Sequence, residues 1–468
     1  MDNKKGFLRF FQWICRFNFG IFEKEEFKKF IRLGLIFVLI IGIYWTLRPL
    51  KDSIFILLVG KYQLPFAKTI SVLSLLPLVM LYTKLLEKTS REKMLHILPL
   101  FYGLSILAFS VLMLFIQPTV KDLALKSSLY GIFIKCLGYL WYLFVESFGS
   151  LIVALFWAYT ADTTDPTTAK RGFPLIYAFG QLGGIIFPFG IGGLPYRLGH
   201  STDFFYMMIL GILTLLIIPL FRYFLKTTPK KLLKSFHGKN VAAETQKQKM
   251  GFLEGLKLVL KHRYLIGIFA VNFIYEIIVT IFDFNFKLAA GASYSGVALS
   301  NYLSIYGSSV NIVSLSCLLL GISNITRFLG IGAALALMPL IVGAALFGFL
   351  TIDTLMFLFA LMVGSKAINY ALNGPALKQL YVPTTPDVKF KAQAWIETFG
   401  SRSSKQGGSA FNMLLSPLQS AFGKVVGKSY YLYISGILCF PLLGLWLILA
   451  IFLGRTFRKA IKENKVVC

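Results

Sequence analysis

The chain has 468 residues, of which 56% are hydrophobic and only 15% charged, and its mean hydropathy is +0.71. That balance excludes an ordinary soluble domain and points to an all-α polytopic membrane protein. A net charge of +28 would suit a nucleic-acid binder, but Lys and Arg fall mainly in the hydrophilic segments between apolar runs, where membrane topology accounts for them and no nucleic-acid partner is expected.

In chain order, residues 1–30 open with MDNKKGFLRFFQWICRFNFG. This segment has neither the short hydrophobic core of a cleaved signal nor the look of an organellar transit peptide, and its Phe and Trp residues suit a short helix lying on the membrane surface. Taking about 20 apolar residues per crossing, six spans are expected near 31–58, 66–83, 95–117, 137–160, 173–194 and 203–224. Six more are expected near 264–288, 298–321, 327–348, 353–373, 396–421 and 430–454. The organisation is then an N-terminal six-helix bundle (31–225), a Lys-rich cytoplasmic linker (226–263), a C-terminal six-helix bundle (264–454) and a basic cytoplasmic tail (455–468). Clusters of Lys and Arg before the first span, after the second and at the end of the chain place both termini in the cytoplasm.

Two internal echoes suggest duplication. Tyr44, Asp52 and Gly60 stand eight residues apart in span 1, and Tyr275, Asp283 and Gly291 repeat the spacing in span 7. The segment from Thr163 to Gly184 is answered, with a shift in register, by the segment from Thr384 to Gly408. With the six-plus-six layout, these echoes predict a major-facilitator-like fold of twelve transmembrane helices, in which spans 1, 4, 7 and 10 surround the substrate path.

Ionisable residues inside such spans cost about 2.5 to 3.5 kcal/mol each at a helix centre, so they call for a polar cavity or a partner. Span 1 holds Arg48, Lys51 and Asp52, span 4 holds Glu146, span 7 holds Glu276, Asp283 and Lys287, and span 10 holds Lys366. Arg48 and Lys51 are three residues apart and share a helix face, offering a planar fork and a mobile point charge to one polyanion. Arg402 and Lys405 repeat that spacing in FGSRSSKQGG of span 11, where Gly407 and Gly408 suit close helix packing. The expected phosphate-binding set is therefore Arg48, Lys51, Lys287, Arg402 and Lys405, with Asp52, Glu146, Glu276 and Asp283 balancing charge or coupling to ions. Tyr44, Trp45, Tyr142 and Tyr275 stand near the charges and suit either base stacking or helix packing.

Other chemistries find little support. Five scattered cysteines and four histidines without metal-ligand spacing give no disulfide framework or zinc site, and no cofactor is expected. There is no glycine-rich phosphate loop and no spaced carboxylate pair of a hydrolase, so ATP hydrolysis and catalysis are not expected. A carrier for an organic anion is the natural reading; a proton-coupled symporter of other nucleotides or organic anions, and a non-transporting scaffold or lipid-handling protein, are the alternatives.

Three blocks together also carry a family resemblance: YWTLRPLKDSIFI in span 1, ESFGSLIVALFWAYTAD followed by AKRGFPLIYAFGQLGG, and LKQLYVPTTPDVKFKAQAWIETFGSRSSKQGGS. In order and over nearly the full chain, they resemble the ATP/ADP translocases, the nucleotide transporters of obligate intracellular bacteria and plastids. The resemblance implies import of host ATP in exchange for ADP and phosphate, by a monomer in the bacterial inner membrane. It also implies transport roles for Lys51, Glu146 and Glu276, and for a further lysine to be sought among Lys378, Lys391 and Lys405. After Glu276 the chain departs from the family pattern, reading EIIVTIFDFNFKLAA, with Asp283 in the middle and only Lys287 retained.

Overall fold

The computed structural model describes residues 22–468 apart from 90, 121–128, 165, 201, 234–251, 320–328, 353, 382, 386–387, 389–391 and 464–465. The surface helix expected in residues 1–30, up to residue 21, and Lys391 lie outside the described residues. Among the described residues, all regular structure is helical. The long helices before the linker are α1 (Lys24–Leu58), α2 (Leu64–Lys88), α3 (Arg91–Thr119), α4 (Leu129–Asp162), α5 (Pro166–Gly190) and α6 (Phe204–Thr227). After it come α7 (Arg263–Ser293), α8 (Gly296–Leu319), α9 (Gly330–Thr351), α10 (Leu355–Ile368), α11 (Ser401–Asn412) and α12 (Lys424–Lys462).

Nine helical stretches among the described residues are long and apolar enough to cross a membrane: those of α1, α3, α4, α5, α6, α7, α9, α10 and α12. The expected eleventh span, 396–421, is not one helix. A π-helical turn (Ile396–Gly400) leads into α11, and a separate short helix (Leu415–Phe422) follows it. SRSSKQGG lies inside α11 and only lowers its apolar character, whereas the interruption falls at Met413–Leu414, where Pro417 has no N–H to donate to the Met413 carbonyl. Ser300, Ser304, Ser308 and Ser314 are all buried along α8.

The chain separates into two compact units. Unit 1 comprises Met1–Ile54, Leu75–Ala242 and Gly296–Ser308; unit 2 comprises Phe55–Ser74, Ala243–Ser295 and Ser309–Cys468. In unit 1, α3 packs along α6 and against α4. There α1 meets α5 so closely that a Cβ on Gly183 would run into the carbonyl oxygen of Val38. In unit 2, α9 packs along α12, while α7 packs against α10, α11 and α12. A Cβ on Gly408 of α11 would come to 2.9 Å from the carbonyl oxygen of Ile277 in α7. The helix pairs thus recur at an interval of six: α3 with α6 and α9 with α12, α1 with α5 and α7 with α11. The glycine pairs at 183–184 and 407–408 belong to corresponding close contacts, which is the physical content of the second sequence echo.

Side-chain hydrogen bonds knit unit 2 where glycine contacts alone would leave it loose. Tyr431 of α12 donates to Asn412 Oδ1 of α11 at 2.6 Å, and Asn285 of α7 donates to the Tyr431 hydroxyl at 3.3 Å. Helices α1 and α7 are the most enclosed of the membrane-length set, with 61% of their apolar windows buried against 33–50% in the others. These two corresponding helices carry the clustered charges, so each unit directs its ionisable side chains inward along its best-shielded helix.

Candidate functional site

Unit 1 gathers its charges from α1 and α4. Lys51 is buried and forms an ion pair with Glu146, while its ammonium lies 3.7 Å from the carboxylate of Asp52 and 4.0 Å from the ring centroid of Tyr142. An ammonium over an aromatic face is attracted by the ring quadrupole, and a buried cation needs such partners as well as its carboxylates. Arg48, one turn earlier, sits over the Trp45 ring at 5.5 Å and is near enough to act electrostatically on Lys51 and Glu146. Tyr44 meets Trp45 edge-on at 6.5 Å, and its ring fills the space that a Cβ on Gly149 of α4 would need. Two cations therefore face two carboxylates, and the cluster is balanced.

Unit 2 reverses the pattern. The carboxylate of Asp283 on α7 accepts from Lys287 at 2.8 Å, from Lys68 of α2 at 3.0 Å and from Lys366 of α10 at 3.2 Å. The first of these is an i, i+4 pair along one helix; the other two bring in separate helices. All four side chains are largely shielded, so the mutual repulsion of the three ammonium groups is poorly screened. Among the described residues, three lysines from three helices share this one carboxylate.

A third pairing lies nearer the surface of unit 2. Glu276 on α7 accepts from the Ser401 hydroxyl at 3.1 Å and stands 3.6 Å from the ammonium of Lys405, which is exposed. Arg402 is half-buried on the same helix as Lys405. Tyr275, next to Glu276, is buried, with its ring edge-on to Trp446 at 6.0 Å. Lys378 is exposed on a short helix, Gly374–Gln379, and has no part in the three clusters.

Most of the expected site residues thus fall into groups: Lys51 with Asp52, Glu146 and Tyr142; Lys287 with Asp283; Lys405 with Glu276. Sequence reading missed Lys68. Its signal was of the kind used for span 1, an ionisable residue within an apolar stretch, since it lies inside the expected second span, 66–83. Lys366, recognised as a charge in span 10 but not placed in the phosphate-binding set, completes the cluster. Among the described residues, no group of three His, Cys, Asp or Glu side chains converges to hold a metal ion. Chemically, each unit presents fixed ammonium groups on enclosed helices, an arrangement that recognises multivalent oxyanions through charge-assisted hydrogen bonds.

Comparison with known proteins places the chain among relatives of stated activity. A family model described as the TLC ATP/ADP transporter matches residues 9–457. Among similar proteins is the ADP,ATP carrier protein 1 of Rickettsia typhi, 26% identical over 492 aligned positions that cover 95% of this chain and 96% of the relative. The plastidic ATP/ADP-transporter of Solanum tuberosum is 25% identical, covering 88% of this chain and 70% of the relative. Among solved structures, a bacterial homologue of the iron transporter ferroportin in an inward-facing state aligns with a TM-score of 0.63 at 10% identity, over 92% of this chain and 99% of that one. That last likeness concerns the fold alone.

Proposed function

Because the chain belongs to the TLC ATP/ADP transporter family, we propose that it exchanges ATP for ADP across a membrane, with the phosphate chain of the nucleotide held by its buried ammonium and guanidinium groups. The supporting observation is the cluster around Asp283, in which three lysines of one unit share one carboxylate. In the unloaded carrier Asp283 stands in for the substrate. A polyphosphate offers more negative charge than one carboxylate and displaces it, so Lys68, Lys287 and Lys366 exchange an internal anion for an external one. Arg48 and Lys51 in unit 1, and Arg402 and Lys405 in unit 2, are the further phosphate-binding side chains of this proposal. Asp52, Glu146 and Glu276 balance them. Tyr44, Trp45, Tyr142 and Tyr275 are the aromatic candidates for contact with the base.

The convergence of three ammonium groups on one carboxylate also gives exchange a physical reason. An empty carrier that changes its facing moves clustered like charges through a low-dielectric interior without a polyphosphate to hold them together, which is costly. A loaded carrier does not. One-for-one exchange follows without any chemical conversion of the nucleotide, and ADP with phosphate is the proposed counter-substrate of ATP. In this scheme the chain works by alternating access as a monomer in a bacterial inner membrane, with twelve spans in two halves (31–225 and 264–454) and both termini cytoplasmic.

The test is uptake of labelled ATP into proteoliposomes preloaded with ADP, with ADP and phosphate, with phosphate alone, or with buffer. Sustained uptake is expected only where ADP is inside. Equal uptake into buffer-filled vesicles would refute exchange. Separately, unchanged uptake and unchanged salt dependence in Lys51→Ala would remove Lys51 from the phosphate-binding set.

A further inference from the structure

Unit 2 contains a cavity of about 180 Å³ that plays no part in the nucleotide scheme. Its polar lining includes Lys61, Lys428, Asn285 and Gln419, and no Asp or Glu is among the described residues that line it. The wall also includes Tyr62 and the apolar side chains of Leu288, Phe349, Leu358 and Leu432. Lys61 follows the C-terminal end of α1, and Lys428 lies in the second turn of α12. A third lysine adds to the local field: Lys424, the first residue of α12, repels the Lys61 ammonium, which burial and this repulsion together hold below its ordinary pKa. Gln419 donates to the Lys424 carbonyl at 3.2 Å, tying the short helix Leu415–Phe422 to the first turn of α12. Gly423, at φ 81°, turns the chain into α12 without a side-chain cap, so the positive end of that helix dipole adds to the same potential.

The placement of these lysines is unusual for a membrane chain. At about 1.5 Å rise per residue, α1 and α12 are each long enough to traverse a bilayer. Lys61 lies beyond the end of α1 remote from Lys24, Lys28, Lys29 and Arg32; Lys424 lies at the end of α12 remote from Arg455, Arg458, Lys459 and Lys462. With the termini cytoplasmic, these remote ends face the side from which cations are normally depleted. Two lysines thus line one cavity at those ends, with Lys424 near enough to Lys61 to repel its ammonium.

We propose that this cavity binds a phosphate group, supplied by an anionic membrane lipid or by free phosphate, with Lys61 and Lys428 as its direct partners. Basic pockets between transmembrane helices recognise anionic headgroups in this way. Leu288, Phe349 and Leu432 provide the apolar wall along which the hydrocarbon of a lipid would run, so the lipid source is the one that fits the whole lining. The site is separate from the clusters at Lys51 and Asp283, and its occupation stabilises unit 2 rather than selecting the nucleotide.

The test uses the full-length chain, purified and delipidated, as wild type, as Lys61→Gln/Lys428→Gln and as Leu432→Trp, which fills the apolar part while keeping both lysines. Retention of phosphatidylglycerol is measured by native mass spectrometry. Thermal midpoints are measured with phosphatidylglycerol, phosphatidylcholine or inorganic phosphate at constant ionic strength. Phosphatidylglycerol, but not phosphatidylcholine, should raise the wild-type midpoint, and its affinity should fall about tenfold or more in the double Gln variant, as expected for loss of charge-assisted hydrogen bonds. Leu432→Trp should lose the lipid effect, and ADP affinity should be unchanged in all three chains. If inorganic phosphate alone reproduces the wild-type shift and Leu432→Trp keeps it, the ligand is free phosphate and the site stands. Equal stabilisation by both lipids, or an undiminished phosphatidylglycerol effect in the double Gln variant together with Leu432→Trp, overturns the proposal.

Discussion

The two units place their charges on corresponding helices but with opposite sign. In unit 1 a lysine on α1 is gripped by a glutamate on α4; in unit 2 an aspartate on α7 is gripped by a lysine on α10 and by two more. Among the described residues, one lysine meets two carboxylates in unit 1 and one carboxylate meets three lysines in unit 2. Similar helix packing can therefore carry different charge clusters, because the helix contacts depend on glycines and shape whereas the charges depend on a few side chains.

Removing Asp283 should have the largest effect. Asp283→Ala leaves three shielded ammonium groups facing one another, and breaking a buried ion pair in this way costs about 3 to 5 kcal/mol. Asp52→Ala should cost clearly less, since Lys51 keeps Glu146. Thermal unfolding of the nucleotide-free proteins measures the contrast, and ADP should recover more of the loss in Asp283→Ala. Equal losses in the two variants would break the comparison.

Next in size are the lysines of unit 2. Lys68→Gln, Lys287→Gln and Lys366→Gln should each weaken nucleotide binding by about 1.5 to 3 kcal/mol, roughly ten- to a hundredfold. Each should also flatten the dependence of affinity on salt. Isothermal titration with ATP and ADP at several ionic strengths reads both quantities; an unchanged salt dependence in all three would sever the cluster from the phosphate chain.

The packing half of the comparison is sharpened by Gly183→Ala and Gly408→Ala. Each inserts a methyl against a carbonyl of the corresponding helix, Val38 in α1 and Ile277 in α7. Overpacking of this kind costs about 1 to 3 kcal/mol, with the larger loss of thermal stability expected at Gly183, where the backbone stands closer. A loss at only one would show that the repeat is not equivalent in its close contacts. The smallest stability effect belongs to Lys405→Ala, whose exposed pairing with Glu276 contributes about 0 to 1 kcal/mol. A large fall in uptake with a small change in unfolding midpoint would assign Lys405 to substrate binding rather than to the fold.

The helical membrane architecture was legible because its signal is additive: long apolar stretches separated by basic segments average over many residues, and no single side chain decides them. The expected eleventh span is divided at Met413–Leu414, ahead of Pro417, while its polar SRSSKQGG stretch stays helical but is not an apolar run. Charges within spans also drew attention to Lys51, Asp52, Glu146, Glu276, Asp283 and Lys287, because an ion in hydrocarbon needs a reason. Lys68 escaped notice: it stands near the edge of its apolar stretch, where a long side chain ordinarily reaches the headgroups.

Sequence alone determined that this chain is a polytopic helical membrane protein, that it resembles a nucleotide transporter family and that certain spans contain buried charge. All three follow from local properties, hydropathy, spacing and residue order, which survive without knowledge of which helices meet. Only the tertiary structure decided the partners. Lys51 and Glu146 are 95 residues apart, and Lys68 and Asp283 are 215 apart. Whether an ion inside a span is neutralised or left in surplus depends on distances of a few ångströms between such remote positions, since Coulomb energy in a poorly screened interior is set by separation in space and not along the chain.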